Sequence, residues 1–334
     1  MSTGYKAFKK GMICRDKQYK ENTTYEENGN KICEAGVMHF CENPFDVLNF
    51  YPLIDENDNI PEFAEVEPLG EVYKVKDIDI SATNKLHIGV KLGFKNFVKT
   101  CIDFIVKEAR ISIKENTAQT ASSGDYAKIA SNENNAHIAS SGDYASIGSS
   151  GRNAQIASSG HFAQTASSGD YAQIANSGDN TKIISSGICS QITNSGRDTQ
   201  IASNRTAVRI ASSGDYARIV SSGNRSQIAD SGDNTKIISS GNSVKIISSG
   251  DDVKITSKGK RSVVMAAGYN SMVKAKVGSF ITLTEWELAY VEDEGDLCWI
   301  PKCIKTEYVD GKRIKEDTFY KLVNGEFVET VEAE

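Results

Sequence analysis

Cys14, Cys33, His39 and Cys41 offer three thiols and an imidazole, a donor set that suits Zn²⁺. Their spacing matches no familiar zinc knuckle, and isolated Cys side chains commonly just pack in a core, so no metal is assigned. A second set, Tyr5, Lys6, His39 and Tyr51, would be fit for proton transfer or nucleophilic work if one cleft gathered it. Glu62, Glu65, Glu67 and Glu71 follow, but they crowd one stretch and none stands out as a catalytic carboxylate. A third set is periodic: Asp125 and Tyr126, Asp143 and Tyr144, Phe162, and Asp215 and Tyr216. Aligned on a rod, these residues form a candidate binding surface; equally, like side chains stack in solenoids to stiffen their turns. There is no P-loop, dinucleotide fingerprint or nucleophile elbow, so no cofactor is expected and no catalytic residue is assigned.

The element that must position the third set is a repeat. Aligned in blocks of nine, Ser122 to Lys274 holds seventeen consecutive units without insertion. Gly fills the third position in fifteen of them, the exceptions being Glu133 and Arg205, and Ile fills the eighth in fourteen. The sixth position is always Ala, Ser, Thr or Val, and the seventh is polar in most units. Small, polar, Ile is the period-2 signature of a short strand with one face buried. The Ser-Ser-Gly-Asp segment is turn chemistry, and Gly is expected to supply positive φ there. A longer period is superimposed: Asp125, Asp143, Asp179, Asp215, Asp233 and Asp251 are separated by multiples of eighteen, and only Tyr171 breaks the same phase among the aromatics. Two nonapeptides per coil therefore predict a two-sheet parallel β-solenoid with an Ile and Ala core. About 8.5 coils at roughly 4.8 Å per strand give a rod about 40 Å long.

The repeat resembles the β-roll repeats of bacterial ice-nucleation proteins, which also combine a Gly turn, a small residue and an aliphatic one. It departs from them in period, since those units have eight residues, and in lacking outward Thr-x-Thr pairs, which disfavours ice binding. The calcium roll of secreted toxins, G-G-x-G-x-D-x-U-x, has Asp two residues before the aliphatic position, where this chain has Ala127 or Thr181. Its oxygen ligands are missing, so a calcium roll is rejected.

Residues 1–112 have another texture, with four of the five Pro and no repeat. Strand-like pieces (GYKAF, EVYKV, KLHIGVKL) and the helically spaced FKNFVKTCIDFIVKEA predict an α+β head domain. The run CEAGVMHFCENPFDVLNFY, together with YKAFKKGMICRDKQYKENTTYEENG, resembles an N-terminal domain of unknown function found in bacteriophage and prophage proteins. That resemblance implies a phage or prophage origin and no established activity. GVMHFCENPFDVLNFY also resembles the glycine-led strand and Tyr-ended helix of ADP-ribosyltransferase-like folds, with GYKAF as first strand. Residues 275–334 alternate in strands joined by Asp-Gly and Asn-Gly turns, predicting β-hairpins that cap the solenoid's last coil. Trp286, Tyr290, Trp299, Tyr308 and Tyr320 are expected to cover that coil.

The domains are thus 1–112, 113–274 and 275–334 of a mainly β protein. Residues 115–274 hold fifteen Lys or Arg against twelve Asp or Glu, too near neutrality for a DNA mimic or a DNA-binding field. Lys182, Arg209, Arg218, Lys236, Lys245 and Lys254 fall on both sheets and are expected to form a solvated surface. The start lacks an apolar signal-peptide core, no run reaches membrane-span length, and the odd count of seven cysteines suits a reducing cytosol, with association with a phage particle left open. The expected function is a non-enzymatic binding or scaffold protein presenting an extended repeat surface to a protein or other surface. The alternative is an ADP-ribosyltransferase-like enzyme in the head, with the rod as spacer. Oligomeric state is left open.

Overall fold

The computed structural model describes residues 4–29, 36–74, 80–108, 111–113, 119–291 and 296–330. A parallel β-solenoid of about nine turns, eighteen residues each, dominates it. Successive rungs pair at i and i+18, as Ile183↔Ile201 and Ile174↔Ile192 do. The rungs form two sheets: one of twelve strands beginning at Ile111–Ile113 and one of eleven beginning at Gln119–Ser122. The eighth-position Ile residues all point between the sheets into one continuous core. No single unit could bury its Ile alone, so stacking supplies the core.

The reason for the glycines differs from the one expected. None of the third-position glycines has positive φ; the fifth residue of every unit does, from Tyr126 (φ 57°) to Asn270 (φ 56°). Gly is required instead by the closeness of successive turns. A Cβ on Gly160 would lie 2.0 Å from the carbonyl oxygen of Gly142, and most rungs repeat that contact. Where Arg205 replaces Gly, the adjoining bond from Asn204 N to Ser185 O stretches to 3.4 Å, against 2.9 Å one coil later at Ser222 N to Ser203 O.

The fourth-position Asp residues stack on successive coils as the period predicts, and each has work to do there. Asp125 Oδ1 accepts from Asp143 N at 2.9 Å, and Asp143 Oδ1 accepts from His161 N at 2.8 Å. Asp179, Asp215 and Asp233 each serve the next coil in the same way. Asn134 and Asn224 do this on the opposite edge. The carboxylates thus satisfy turn N–H groups that lie outside the strand ladder.

Residues 4–108 hold β1 (Gly4–Phe8), β2 (Ile13–Cys14), β3 (Lys17–Gln18), β4 (Thr23–Glu26), β5 (Met38–Phe40), α1 (Val47–Phe50), β6 (Glu62–Pro68), β7 (Val72–Lys74), β8 (Ser81–Thr83), β9 (Lys85–Leu92) and α2 (Phe94–Glu108). An antiparallel sheet runs β1-β6-β9-β4, and a smaller one runs β5-β8-β7. This head does not sit on the end of the rod. It lies along the outer face of the twelve-stranded sheet, with α2 crossing the rungs at Lys128–Ser131, Ser146–Ser149, Gln164–Ser167 and Lys182–Ser185. Phe45, Leu48, Leu53, Phe97, Ile102 and Ile105 share one core with ninth-position Ala166, Ile184, Ala202, Val220 and Ile238. Gly148 lets the helix approach, since a Cβ there would meet Ile105 Cγ2 at 2.7 Å.

At the other end two hairpins close the parallel ladders. Phe280–Leu283 makes a last parallel rung on Val263–Ala266, then continues into an antiparallel pairing with Asp296–Tyr308. Phe319–Val323 pairs antiparallel with Met272–Ala275 through Val273↔Tyr320 and turns into Glu326–Thr330. Of the aromatics expected to cover the last coil, Tyr320 is buried in the solenoid core and Trp286 Nε1 donates to Ala267 O at 2.8 Å. Tyr290, Trp299 and Tyr308 stay exposed: Tyr290 lies on the two-stranded ribbon that runs on past the coil, Trp299 meets the Tyr269 ring of the last unit at 4.2 Å between centroids, and Tyr308 sits beside Phe280 at the last rung.

Candidate functional site

β1 alternates its side chains between the faces of the head sheet, and a short bridge between Tyr5 and Cys41 joins its start to the end of β5. This brings Tyr5, Lys6, Cys14, His39, Cys41 and Tyr51 to the walls of one cleft of about 470 Å³, with Arg15 and Lys9 also lining it. All four residues of the Tyr5, Lys6, His39, Tyr51 set are therefore gathered. Lys6 is the most deeply set, 6 % exposed, and its Nζ donates to His39 O at 2.7 Å. Tyr51 OH donates to Cys14 Sγ at 3.2 Å. Burial lowers the Lys6 pKa; contact with Cys14 opposes this and the Arg15 charge adds to it. Burial, and then the charges of Lys6 and Arg15, lower that of His39. Burial, reinforced by Cys14, raises that of Tyr51. All three shifts favour the neutral forms.

Of the metal candidates, Cys14, His39 and Cys41 line this cleft, while Cys33 lies outside the described residues. Among the described residues no three His, Cys, Asp or Glu side chains are placed to hold a metal ion. None of Glu62, Glu65, Glu67 and Glu71 lines the cleft. Glu62 is instead engaged by Met12 N at 2.7 Å and by the Lys91 ammonium at 2.5 Å.

The periodic set divides. Tyr126, Tyr144 and Phe162 stack with centroids 4.9 Å apart and planes within 7° of parallel. They line a groove of about 460 Å³ against the head, together with Glu42, Asp46, Lys74 and Lys128. Tyr216 is not part of this stack, since Asn180 and Asp198 occupy the intervening coils. It carries the Arg197 guanidinium over its ring instead, at 5.7 Å. Within the stack only Tyr144 has a ring on both faces; Tyr126 and Phe162 each have one ring neighbour. Asp125, Asp143 and Asp215 are likewise engaged by backbone N–H groups.

The cation series is not uniformly solvated, which corrects that expectation. Lys182 Nζ donates to Asn49 Oδ1 at 2.6 Å, Lys254 Nζ lies 2.6 Å from Asp58 Oδ2, and Lys236 Nζ lies 3.8 Å from Asp58 Oδ1. Gln200 is buried between Leu53 N at 2.8 Å and Leu48 O at 3.2 Å. These side chains read the head, and the signal for them was present: they sit on alternate nonapeptides, as do the bulkier ninth residues Ile184, Val220 and Ile238. The eleven-stranded sheet shows the opposite pattern. Its seventh and ninth residues stay exposed in rung after rung, as Gln155 and Ala157, Gln173 and Ala175, Gln191 and Thr193, and Gln227 and Ala229.

Residues 2–100 match the family described as Domain of unknown function (DUF7666), so the head is a domain of that kind. A search of curated proteins gives no match, and neither does a search of solved structures. Among the described residues no helix is long and apolar enough to cross a membrane.

Proposed function

We propose that the protein is a non-enzymatic binding or scaffold protein and that it presents the outer face of its eleven-stranded sheet to a protein partner. One observation carries this reading. The head covers the twelve-stranded sheet with matched apolar and charged contacts, while the equivalent face of the other sheet is left open over its whole length. From Gln119 to Ala229 that face is mainly Gln amides beside Ala, interrupted by His137, Thr193 and Arg209, with a strand repeat of roughly 4.8 Å. Small ninth residues leave it free of steric relief, which suits a broad partner, and the repeated amides offer donors and acceptors at fixed intervals. A phage or prophage origin, implied by the resemblance of Cys33–Tyr51, and a cytoplasmic site of action with association with a phage particle belong to the same proposal.

A photo-crosslinking residue at Gln173 in the full chain, in cells that make it naturally, is expected to give a discrete covalent partner. The band should vanish when Ala175→Arg is added. A partner captured from position Tyr126 but not from Gln173 would instead assign binding to the aromatic groove.

A further inference from the structure

The cleft in the head is left unused by the sheet reading, and its chemistry is specific. We infer that it binds a small α-oxo acid, whose carboxylate pairs with Arg15 and whose carbonyl carbon forms an imine with Lys6. Three features converge on this. Lys6 is buried in the cleft wall, its Nζ held by the His39 carbonyl oxygen, a neutral acceptor that leaves the amine's charge uncompensated. Among the described residues no carboxylate forms an ion pair with it; the rings of Phe8 and Tyr19, 5.7 and 5.5 Å from Nζ to centroid, attract an ammonium here but supply no counter-charge of the kind that buried cations ordinarily have. Such a lysine is held toward its neutral amine, the nucleophilic form that condenses with carbonyl groups. The lowered pKa of Lys6 agrees with this. The second feature is the surrounding walls. Phe40, Val47 and Phe50 supply apolar surface, and Tyr51 OH, bonded to Cys14 Sγ at 3.2 Å, brings a phenol to the same space. The third is the Arg15 guanidinium, whose planar fork suits a carboxylate; the lining is mixed in charge, with Lys9 and Arg15 facing Asp55 and Glu56, and Asp55 Oδ1 is already taken up by Asn57 N at 2.9 Å and Asn59 N at 2.7 Å.

The step balances without an oxidant or reductant. The Lys6 nitrogen lone pair attacks the carbonyl carbon, and the π pair moves to oxygen, which takes a proton to give a carbinolamine. The nitrogen gives up one proton to leave the neutral carbinolamine; its hydroxyl then takes a second proton, the carbon–oxygen bond breaks and water leaves as the nitrogen lone pair forms the C=N bond, and the last proton on nitrogen passes to solvent.

The full-length protein would be incubated at neutral pH with pyruvate and sodium cyanoborohydride, and the reduced adduct located by peptide mapping. Modification is expected at Lys6 ahead of the exposed Lys9, Lys10 and Lys20. Arg15→Ala should lower labelling of Lys6 about tenfold at subsaturating pyruvate, the loss of one charge-assisted contact. Acetaldehyde, which has no carboxylate, should label Lys6 more weakly than pyruvate. Labelling spread over the exposed lysines with Lys6 untouched would overturn the proposal, and equal labelling of Lys6 by both carbonyl compounds would overturn its carboxylate part. Because Lys6→Met could disturb the head, mapping on the unaltered chain carries the test.

Discussion

Ile183→Asp is expected to unfold the rod or to lower its stability by about 4 kcal/mol or more, the range of a buried unpaired charge. Ile183 is 0 % exposed and pairs with Thr165 below and Ile201 above in the inward row of the twelve-stranded sheet. Its side chain lies in the shared apolar core between the sheets, whose members carry no cation to pair with a carboxylate. Parallel rungs transmit the damage, because each coil is held by the coils on either side. Thermal unfolding followed by circular dichroism checks it. A variant that melts with the parent would mean that Ile183 does not point inward.

The second large effect depends on pH. Asp230 occupies the first position of its unit, where most units have Ser, and it pairs with Ser212 and Ser248 on the adjacent rungs. It is 5 % exposed, and Ser248 Oγ donates to its Oδ2 at 2.8 Å. Burial pushes its pKa up to about 7, against the help that Ser248, the Gly232 N–H and Thr235 give to the ionised form. The folded pKa is thus raised above the unfolded value of 3.8. In that case the unfolded chain releases its proton first, so stability falls as pH rises from 3.8 and levels off above about 7. Asp230→Ser removes this dependence. The variant and parent should melt alike at the acid end of that window. Above it the variant should be more stable by about 2–4 kcal/mol. A constant difference in melting temperature across the window would show that Asp230 is ionised in the folded state throughout.

Much of the rod could be read from residues alone, because its period is local and repeated. The nonapeptide gave strand and turn, the eighth-position Ile gave the inward row, and the eighteen-residue phase of Asp gave two units per coil. The glycine argument failed for a geometric reason. Sequence shows that Gly recurs but not whether it is needed for φ or for clearance, and here the backbone of the preceding coil decides. The docking of the head escaped for a different reason. Lys182, Lys236 and Lys254 look like ordinary surface cations until Asn49, Asp55 and Asp58 arrive from a loop-rich region more than a hundred residues earlier. Within the head, GYKAF, KLHIGVKL and the helix were legible from their periodicity. The Glu-rich stretch offers no distinct catalytic carboxylate by spacing, and the fold shows why: Glu62, Glu65 and Glu67 belong to β6, with Phe63 and Val66 buried and Glu65 exposed. The gathering of Lys6, His39 and Tyr51 depends on the β1–β5 bridge, a contact that spacing could suggest but not place.

The central claim is that one sheet of the rod is covered by the head and the other is left open for a partner. Cysteines placed singly at Ala166 and Ala202 on the covered sheet, and at Ala157 and Ala175 on the open one, test it by maleimide labelling of the folded protein with peptide mapping. The account predicts rapid labelling at positions 157 and 175, and protection at 166 and 202 until the chain is denatured. Labelling at equal rates on both faces would contradict it.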